Sequence, residues 1–437
     1  MATPAKRQRV NSADVKLNIK QQLLFDFLTQ ATEFRPLFVS GCAGTGKSAL
    51  LRALRNFWTR QNETVYVAAY TNLAARNVDG KTCHSLFGFD FKLNVKRPFS
   101  LKVPHCLILD EISMIPGQML DKIDEILKRA CKNDEKPFGG VNLVVFGDLY
   151  QLPPVDKNDT MKPVYEAKVW PQFTLYELTE NMRQSEALFI DNLNMLRTGD
   201  AKCVEYFNTL TLKTPPTVEN QLNNTCLVST HNESNSINVN CYNAITIDQV
   251  ETVVRLNKRV LNRKSVKRDT QIFNVEQENM IFKSNLKLCP GTRIMVTHTT
   301  NNFCNGDFGI VESVSGDGEK TSYTVIVRRE YDNQVMMLQC VVLYFFGDNA
   351  GQVTRVTGLP LTYGWAVTIH KAQGMSLKNL IVYPACVFAP GHAYVALSRS
   401  VHSSGLKLVS ALPRRAICDM SHVTAAYKLM PRIRLDD

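Results

Sequence analysis

Short apolar runs alternate with amphipathic stretches in the first part of the chain. Residues 37–40, 65–70, 107–109 and 143–146 form such runs, and each is followed by Gly, Thr or Asp, a pattern typical of buried parallel strands. Residues 119–130 instead carry apolar side chains at spacings of three and four, which predicts a helix with one apolar face. Because strands and helices alternate, we expect an α/β sheet domain.

The second part of the chain repeats this pattern with an interruption. Residues 227–230, 293–296 and 380–383 are again short apolar runs that predict strands of a second α/β domain. From 309 to 355 the chain is strand-rich with turn residues between the runs, which predicts a small β insert. The basic run 258–268 is interpreted as a solvated loop or helix face.

Composition narrows the class of protein. The 437 residues include 51 Lys and Arg against 40 Asp and Glu, a formal charge of +11, which favours a polyanionic partner although it also serves solubility. No apolar run approaches the roughly 18 residues of a membrane helix, so we expect no membrane contact. The 12 cysteines are scattered without a C-x-x-C pair, which favours reduced thiols in the nucleus or cytoplasm and no zinc site.

A phosphate-binding sequence lies between the first predicted strand and the first helical run. Residues 41–48 read Gly-Cys-Ala-Gly-Thr-Gly-Lys-Ser and match G-x-x-x-x-G-K-[ST]. In this motif backbone N–H groups surround phosphates, Lys47 reaches the β and γ phosphates, and the Ser48 hydroxyl binds Mg²⁺. The predicted nucleotide-binding residues here are Gly41, Gly44, Thr45, Gly46, Lys47 and Ser48.

An acidic pair closes the strand at 107–109. Asp110 is expected to hold Mg²⁺, and Glu111 to position and polarise the attacking water. An Asp-Glu pair is common on protein surfaces, but here it follows a predicted parallel strand, whose carboxyl end is where a phosphate loop also lies. The sequence therefore predicts a nucleotide hydrolysis site that uses ATP and Mg²⁺.

Longer segments resemble a known enzyme family. Residues 110–114 and 147–155 resemble the second and third motifs of superfamily 1 helicases of the RecD-like branch. Residues 120–124 and 136–140 are similar to the signature segment of Pif-type DNA helicases, and the resemblance runs with gaps from about 17 to 400. It implies an α/β fold of two RecA-like P-loop domains in tandem, with a small wedge insert in the first and an SH3-like β insert in the second.

The resemblance also implies domain boundaries. The expected parts are a flexible basic tail at 1–16, RecA-like domain 1A at 17–177 with a wedge insert 1B at about 86–104, RecA-like domain 2A at 178–308 and 356–437, and SH3-like domain 2B at 309–355. The wedge region is short, which leaves open a motor that translocates without efficient unwinding. Two interpretations stay open for its phenylalanines, which either stack on bases or pack in the core: Phe87, Phe89, Phe91 and Phe99.

Several single residues receive nucleotide roles from the resemblance. Gln21 matches the glutamine that reads adenine, and Gln151 the one that couples the γ-phosphate to the DNA groove. Arg183 and Arg399 match arginines that reach the γ-phosphate, where positioned positive charge stabilises a loose transition state. Gly374 is assigned to nucleotide binding. The residues with catalytic roles are thus Lys47, Glu111, Gln151, Arg183 and Arg399.

Three further motifs resemble segments that touch single-stranded DNA in the family. Short hydroxyl, amide and imidazole groups suit phosphate oxygens, because they bind the backbone without reading the base sequence. Asn72 stands where the family usually has Gly, so the local backbone there is expected to differ. The predicted DNA-binding residues are Thr71, Asn72, Thr82, His84, Thr368, His370 and Lys371.

The resemblance implies an ATP-dependent DNA helicase that translocates 5′ to 3′ and unwinds duplex in replication, recombination or repair. Its partners would be single-stranded DNA and DNA forks, and it would act as a monomer or a DNA-induced dimer; its compactness also permits a virus-encoded protein acting in a host nucleus. A single-strand translocase and an RNA-directed helicase remain alternatives. A small-molecule P-loop kinase would not explain Gln151, and a binding scaffold without ATPase would not need Lys47 and Glu111 together.

Overall fold

The computed structural model describes residues 16–90, 93–95, 102–154, 160–246, 249–267, 270, 272–273, 275–317, 322–347, 349, 351–384 and 389–435. Most of the predicted basic tail, Phe91, Phe99 and parts of the two predicted inserts lie outside these ranges. The chain divides into two compact units, Met1–Ala201 with Ile417–Asp437, and Lys202–Ala416. Within the described ranges, every helix is too short or too polar to cross a membrane.

The first unit is built on one parallel sheet. Its helices are α1 (Ile19–Gln30), α2 (Lys47–Arg60), α3 (Asn72–Asn77), α4 (Cys83–Phe87), α5 (Gly117–Cys131) and α6 (Ala187–Thr198). Its strands are β1 (Leu37–Gly41), β2 (Val65–Ala69), β3 (Lys81–Thr82), β4 (Cys106–Asp110), β5 (Asn142–Gly147) and β6 (Thr174–Leu178). They are ordered β3-β2-β4-β5-β1-β6, and every pairing is parallel.

Burial explains why the strands of the first unit read as continuous apolar runs. All residues of β1, β4 and β5 are buried, because helices cover both faces of a parallel sheet. On one face α5 contributes Met119, Leu120, Ile123 and Leu127 to the core, which confirms the predicted apolar stripe. The four strands predicted from the first apolar runs are likewise present.

The second unit combines a parallel sheet with largely antiparallel sheets. Its helices are α7 (Cys203–Thr209), α8 (Val218–Leu222), α9 (His231–Ile245), α10 (Val275–Ile281), α11 (Ile369–Ala372) and α12 (His392–Leu397). Its strands are β7 (Thr225–Val228), β8 (Thr252–Val254), β9 (Asn257–Asn262), β10 (Ile272–Phe273), β11 (Leu286–Leu288), β12 (Arg293–Val296), β13 (Phe308–Asp317), β14 (Ser322–Arg329), β15 (Val335–Gln339), β16 (Val341–Phe346), β17 (Gln352–Gly358), β18 (Leu361–Tyr363), β19 (Ala366–Thr368), β20 (Leu380–Val382) and β21 (Leu406–Leu408). The parallel sheet has the order β19-β7-β20-β21.

The antiparallel part is larger than the predicted insert. One sheet has the order β15-β14-β13-β12-β18, a second β10-β16-β17-β9, and β11 pairs with β8. The run 293–296 was expected in the α/β sheet, but as β12 it pairs antiparallel with β13 and β18. A four-residue apolar run does not reveal the direction of its neighbours. The basic run at 258–268 was interpreted as a loop or helix face, and its first part lies in strand β9.

The end of the chain returns to the first unit. Helix α13 (Ser421–Leu429) buries Val423 and Tyr427 in the core beneath that unit's sheet, and Leu175 of β6 forms a parallel bridge with Arg432. The expected boundaries put residues 178–201 and 417–437 in the second domain, but 178–201 and the described residues from 417 onward belong to the first unit. Their apolar positions predict a helix but not which sheet it covers.

The start of the predicted wedge is packed rather than open. Phe87 and Phe89 are 1% and 7% exposed, and their rings stack with centroids 5.9 Å apart. Phe89 also forms an antiparallel bridge with Val95. The structure describes Phe87 and Phe89, and both pack in the core. Core packing is therefore the correct one of the two interpretations for these phenylalanines.

Candidate functional site

The phosphate loop connects β1 to α2 with two left-handed glycines. Gly44 has φ of 93° and Gly46 φ of 75°, a region that L residues seldom adopt. A Cβ on Gly46 would lie 2.4 Å from Nε2 of Gln21, and one on Gly44 would lie 2.6 Å from Oδ1 of Asn181. Glycine is therefore required at both positions, and the loop leads its backbone N–H groups into the start of α2, as phosphate binding needs.

Lys47, the first residue of α2, points back into this loop. Its Nζ donates to the carbonyl oxygens of Gly41 at 2.6 Å and Cys42 at 2.9 Å. Desolvation lowers the pKa of Lys47, while the negative charges of Asp148, Glu111 and Asp110 act in the opposite direction. The ammonium is thus held at the loop by weak neutral acceptors that phosphate oxygens can replace.

The acidic pair lies at the end of β4 and is locally strained. Asp110 is 5% exposed, and its Oδ1 accepts a hydrogen bond from the Glu111 N–H at 2.9 Å. Glu111 has φ of 50°, an uncommon conformation for a residue other than glycine that is maintained by its surroundings. Gly147 allows the turn to pack closely, because a Cβ there would lie 2.9 Å from the Ile112 nitrogen.

A buried carboxylate is disfavoured in its charged form when a second, half-buried carboxylate follows it directly. Burial, and then the charge of Glu111, raises the pKa of Asp110 from its ordinary value of 3.8 to about 7. Between these two values the folded protein binds a proton that the unfolded chain does not, so stability falls as pH rises through this window. A cation bound next to Asp110 would remove this penalty.

Asp110→Asn should accordingly stabilise the nucleotide-free, Mg²⁺-free protein more at pH 8 than at pH 5. The asparagine carries no charge at either pH, whereas the native carboxylate must ionise at pH 8 in a buried position. The free energy of unfolding from urea titrations measures the effect, with the exposed Asp134→Asn as control. An equal difference between variant and native protein at both pH values would contradict the raised pKa.

Gln21 is buried over the phosphate loop. It is 2% exposed, its Nε2 donates to the Thr45 carbonyl at 3.1 Å, and its Oε1 accepts from the Asn18 N–H at 2.9 Å. The Gln21 side chain therefore connects the start of α1 to the phosphate loop. It also forms a capping box with Asn18. Its role in reading adenine remains a prediction.

Residues 181–184 fold directly onto the loop. The Met182 N–H donates to the Gly44 carbonyl at 2.7 Å, and Asn181 Oδ1 accepts from the N–H groups of Arg183 at 2.9 Å and Gln184 at 3.0 Å. Arg183 was expected to reach the nucleotide from a second domain, but it belongs to the first unit with the loop. The Asn181 side chain, which is not among the predicted site residues, holds the backbone segment that carries Arg183.

The end of β5 carries a buried ion pair. Asp148 is fully buried, and Arg197 of α6 donates to it from Nε at 2.9 Å and from Nη2 at 2.8 Å. The same guanidinium lies 4.3 Å from the centroid of the Tyr150 ring, a cation–π distance. Gln151, which is 4% exposed, follows in a turn where its N–H donates to the Asp148 carbonyl at 3.0 Å. The ion pair therefore supports the loop that carries Gln151.

Tyr427 of α13 joins this loop to β1. Its hydroxyl lies 2.7 Å from Ser40 Oγ and accepts from the Leu149 N–H at 3.1 Å, and its ring stacks on Tyr150 at 5.2 Å. Burial raises the pKa of Tyr427. The C-terminal helix therefore completes the support of the phosphate loop and of the loop carrying Gln151, although it lies far away in sequence.

Tyr427→Phe should lower both stability and ATP turnover while keeping the stacked ring. The Leu149 N–H loses its acceptor, and an unsatisfied buried donor costs about 1 to 3 kcal/mol. We expect kcat to fall more than KM rises, because the altered loop positions Gln151 without binding the nucleotide itself. Urea unfolding and steady-state ATPase assays measure both effects. Tyr165→Phe is the control, since that hydroxyl makes no hydrogen bond within the described residues, and equal behaviour of the two variants would exclude the positioning role.

The predicted DNA-binding residues of the first unit lie at one edge of its sheet. Thr71 follows the end of strand β2, and Thr82 is the last residue of the neighbouring parallel strand β3. The hydroxyl of each threonine accepts a hydrogen bond from a backbone N–H at the start of a helix. His84 is half-buried with its ring 5.5 Å from Tyr70, and burial lowers its pKa. Asn72 is the first residue of α3, and its side chain lies outside the described part.

Two of the three predicted DNA-binding residues of the second unit border a cationic cavity. Thr368 and Lys371 line it together with His231, Ser234 and Lys283, and the described residues lining it include no Asp or Glu. Desolvation and then the charges of Lys371 and Lys283 lower the pKa of His231. Such a cavity suits a phosphate group. His231 and Lys283 were missed because neither lies in a sequence motif that we had singled out.

His370 pairs with another histidine. Its Nε2 lies 3.4 Å from Nε2 of His392, and their rings meet edge to face at 4.8 Å. Burial, followed by the neighbouring imidazole, lowers the pKa of His392 to about 4. Both rings are accordingly neutral at physiological pH, and His370 can act as a hydrogen-bond donor without carrying charge.

Arg399 and Gly374 also belong to the second unit. Arg399 is 2% exposed, and its guanidinium donates to the Val395 carbonyl at 2.8 Å and to Ser398 Oγ at 2.9 Å. Gly374 has φ of 83°, so glycine is favoured there. The structure thus places Lys47, Ser48, Asp110, Glu111, Gln151 and Arg183 in one unit and Arg399 in the other.

The residues of the first unit fit a nucleotide phosphate with a divalent cation. Ser113 Oγ, close after the acidic pair, is buried without a hydrogen-bond partner among the described residues. Together with the ionisation penalty on Asp110 this indicates a site that lacks a polar partner and positive charge. Ser48 and Asp110 carry hard oxygen atoms of the kind Mg²⁺ prefers, and the glycine-lined loop has the shape that a phosphate site requires.

Comparison with known proteins agrees with this geometry. A model of the PIF1-like helicase family matches residues 16–205. The chain is similar to the PIF1-like helicases. The ATP-dependent DNA helicase PIF1 of Emericella nidulans is 28% identical over 446 residues, which cover 87% of this chain and 59% of that protein. The chain spans about 60% of the length of the first curated PIF1 relatives that it matches.

Solved Pif1 structures share the fold. The crystal structure of Pif1 helicase from Candida albicans superposes with a TM-score of 0.75 at 27% identity, covering 94% of this chain and 98% of that one. Pif1 helicase from Bacteroides in complex with ADP-AlF3 and ssDNA gives a TM-score of 0.73 at 27% identity, covering 94% and 97%. The prediction of an α/β protein with tandem RecA-like domains is therefore confirmed.

Proposed function

We propose that the chain is an ATP-dependent DNA helicase. The observation that supports this most strongly is the arrangement in the first unit, where the phosphate loop, the acidic end of β4, the loop carrying Gln151 and residues 181–184 form one site. A kinase for small molecules has no need of a glutamine and an arginine segment held in this way. Similarity to PIF1 relatives along most of this chain supports the same activity.

In the proposed reaction ATP supplies the phosphoryl group. Ser48 and Asp110 would hold Mg²⁺, which would supply positive charge next to that group. Lys47 exchanges its two backbone acceptors for phosphate oxygens. Glu111, in its strained conformation, orients and polarises the attacking water. Arg183 adds positive charge next to the phosphate loop. Gln151 couples the γ-phosphate to the DNA groove through the turn in which its backbone bonds Asp148.

We further propose that translocation on single-stranded DNA runs 5′ to 3′, as the resemblance to the family implies. Thr71, Thr82 and His84 in the first unit and Thr368 and Lys371 in the second offer donors for the phosphate backbone of the strand. Work at DNA forks in replication, recombination or repair agrees with this activity.

The scattered cysteines support a reducing compartment, the nucleus or the cytoplasm, because no disulfide joins the described ones. A monomer suffices for the proposed reaction, since each unit contributes its own set of phosphate-contacting groups. A dimer that forms only on DNA is the alternative state, and sedimentation with and without a forked DNA would distinguish the two.

ATP hydrolysis with and without single-stranded DNA, together with strand displacement from duplexes carrying a 5′ or a 3′ overhang, tests the proposal. We expect DNA-stimulated hydrolysis and displacement from the 5′ overhang alone. Stimulation without displacement would favour the translocase, in keeping with the packed phenylalanines and short length of the wedge region. Greater stimulation by RNA than by DNA would favour the RNA-directed motor, and no stimulation would contradict all three.

A further inference from the structure

One face of the sheet β10-β16-β17-β9 carries two arginines directly opposite each other. The antiparallel register pairs Arg355 of β17 with Arg259 of β9, and it pairs Tyr344 of β16 with Arg355. Residues paired in this way project from the same face of a sheet. Tyr344, Arg355 and Arg259 therefore form a row across three strands, which we call the cationic row.

The cationic row lies on the face opposite a cluster of buried apolar residues, and Val353 of β17, on the same face as the row, is also fully buried. Phe345 and Val356, which alternate with the residues of the row, are buried in a cluster with Phe282. On the other face, Phe346 is 46% and Val342 is 41% exposed. Because successive residues of a strand point to opposite faces, these two apolar side chains share the outer face with the cationic row.

Nothing acidic neutralises the row among the described residues. Neither Arg259 nor Arg355 makes a hydrogen bond or an ion pair through its side chain there, and the four strands contain no Asp or Glu. Residues 255–267 contain six Lys and Arg and no acidic residue. The adjacent Lys258 forms its ion pair with Glu278 of α10, on the core side of the sheet.

Opposed like charges cost stability that a bound anion would recover. Cβ atoms of directly paired residues are about 5 Å apart, and like charges in such positions are destabilising. Two guanidinium groups at this spacing can bind the oxygens of one phosphate or of neighbouring phosphates in fork-like geometry. The exposed aromatic ring of Phe346, with Tyr344 on the same face, offers surfaces on which unpaired bases stack.

We propose that the cationic row is a further binding surface for single-stranded nucleic acid, outside the cavity lined by Thr368 and Lys371. Arg259 and Arg355 bind the phosphate backbone, while Phe346 stacks on a base. The proposal rests on the proposed helicase function, since it names an additional contact for the same strand. A single strand is favoured over a duplex because stacking on an aromatic side chain requires an unpaired base.

The test compares native protein with Arg259→Gln/Arg355→Gln, and with Arg414→Gln as control, which removes an exposed arginine of the same unit. Binding of a fluorescent single-stranded oligonucleotide is measured across a salt series. Each phosphate contact contributes about 0.7 to the log-log salt slope, so loss of two lowers the slope by about 1.4 and weakens binding about 25-fold at 0.1 M salt. Phe346→Ala should weaken binding at high salt as well, because stacking does not depend on counterion release.

Thermal unfolding separates binding from structure. Arg259→Gln should keep or raise Tm, because it removes the opposed charges, whereas a structural role would lower Tm. Binding equal to that of Arg414→Gln, or a loss confined to duplex DNA, would overturn the proposed surface. If the native protein itself neither binds single strands nor shows DNA-stimulated hydrolysis, the helicase proposal fails instead.

Discussion

Lys47→Ala should abolish ATP hydrolysis, lowering kcat by about a thousandfold or more, because positioned positive charge is the main stabilisation of a phosphoryl-transfer transition state. The variant should fold, since among the described residues the native Nζ makes hydrogen bonds only to the Gly41 and Cys42 carbonyls of the loop. Binding of single-stranded DNA should persist, because the predicted contact residues Thr71, Thr82 and Thr368 are unchanged. Steady-state hydrolysis and oligonucleotide binding measure the two properties separately.

The matched control is Lys168→Ala, which removes an exposed lysine of the same unit and should leave hydrolysis unchanged. Near-normal turnover of Lys47→Ala would mean that the loop at 41–48 is not the nucleotide site. Loss of hydrolysis and DNA binding together would indicate that the substitution had disturbed the fold, which thermal unfolding would reveal.

The parts of the site that the sequence predicted are those encoded by contiguous residues. A phosphate loop must follow a strand and begin a helix, and each of these requirements lies within residues 37–60. The same holds for Asp110 and Glu111, which are positioned by the strand that immediately precedes them. Local patterns such as these persist in the fold because backbone geometry alone brings the side chains together.

The parts that were missed depend on contacts between distant residues. Tyr427 reaches Ser40 and Leu149 only because the chain returns to the first unit after completing the second. The apolar positions around Tyr427 predict a helix with a buried face, but a helix of that kind fits either sheet. The same limit explains the misplaced segment with Arg183, whose contacts to the phosphate loop come from Asn181 and Met182.

Antiparallel pairing was the other feature that short patterns could not predict. β12 has the composition of a buried parallel strand, yet its neighbours β13 and β18 run in the opposite direction. The cationic row could not be found from the sequence either, since Arg259 and Arg355 are brought together by strand register alone. Register depends on every pair along two strands, so it is a property of the folded sheet rather than of either run.

Arg197→Met should destabilise the first unit by about 3 to 5 kcal/mol, the usual cost of leaving a buried charge without its partner. Asp148 is fully buried, and Arg197 donates three charged hydrogen bonds to its carboxylate. Urea unfolding of the native protein and the variant measures the difference. A loss below 1 kcal/mol would mean that the ion pair contributes no more than an exposed one.

The double variant Asp148→Asn/Arg197→Met is the matching test, because it removes the buried carboxylate charge as well as the arginine that pairs with it. The asparagine carbonyl can still accept from the Tyr150 N–H, as Asp148 Oδ1 does at 3.2 Å, so much of the lost stability should return. ATP turnover should remain low in the double variant, since the negative charge that Asp148 contributes at Lys47 is lost. Recovery of stability without recovery of turnover would show that the ion pair contributes to the site as well as to stability. Recovery of both would mean that the ion pair contributes to stability alone.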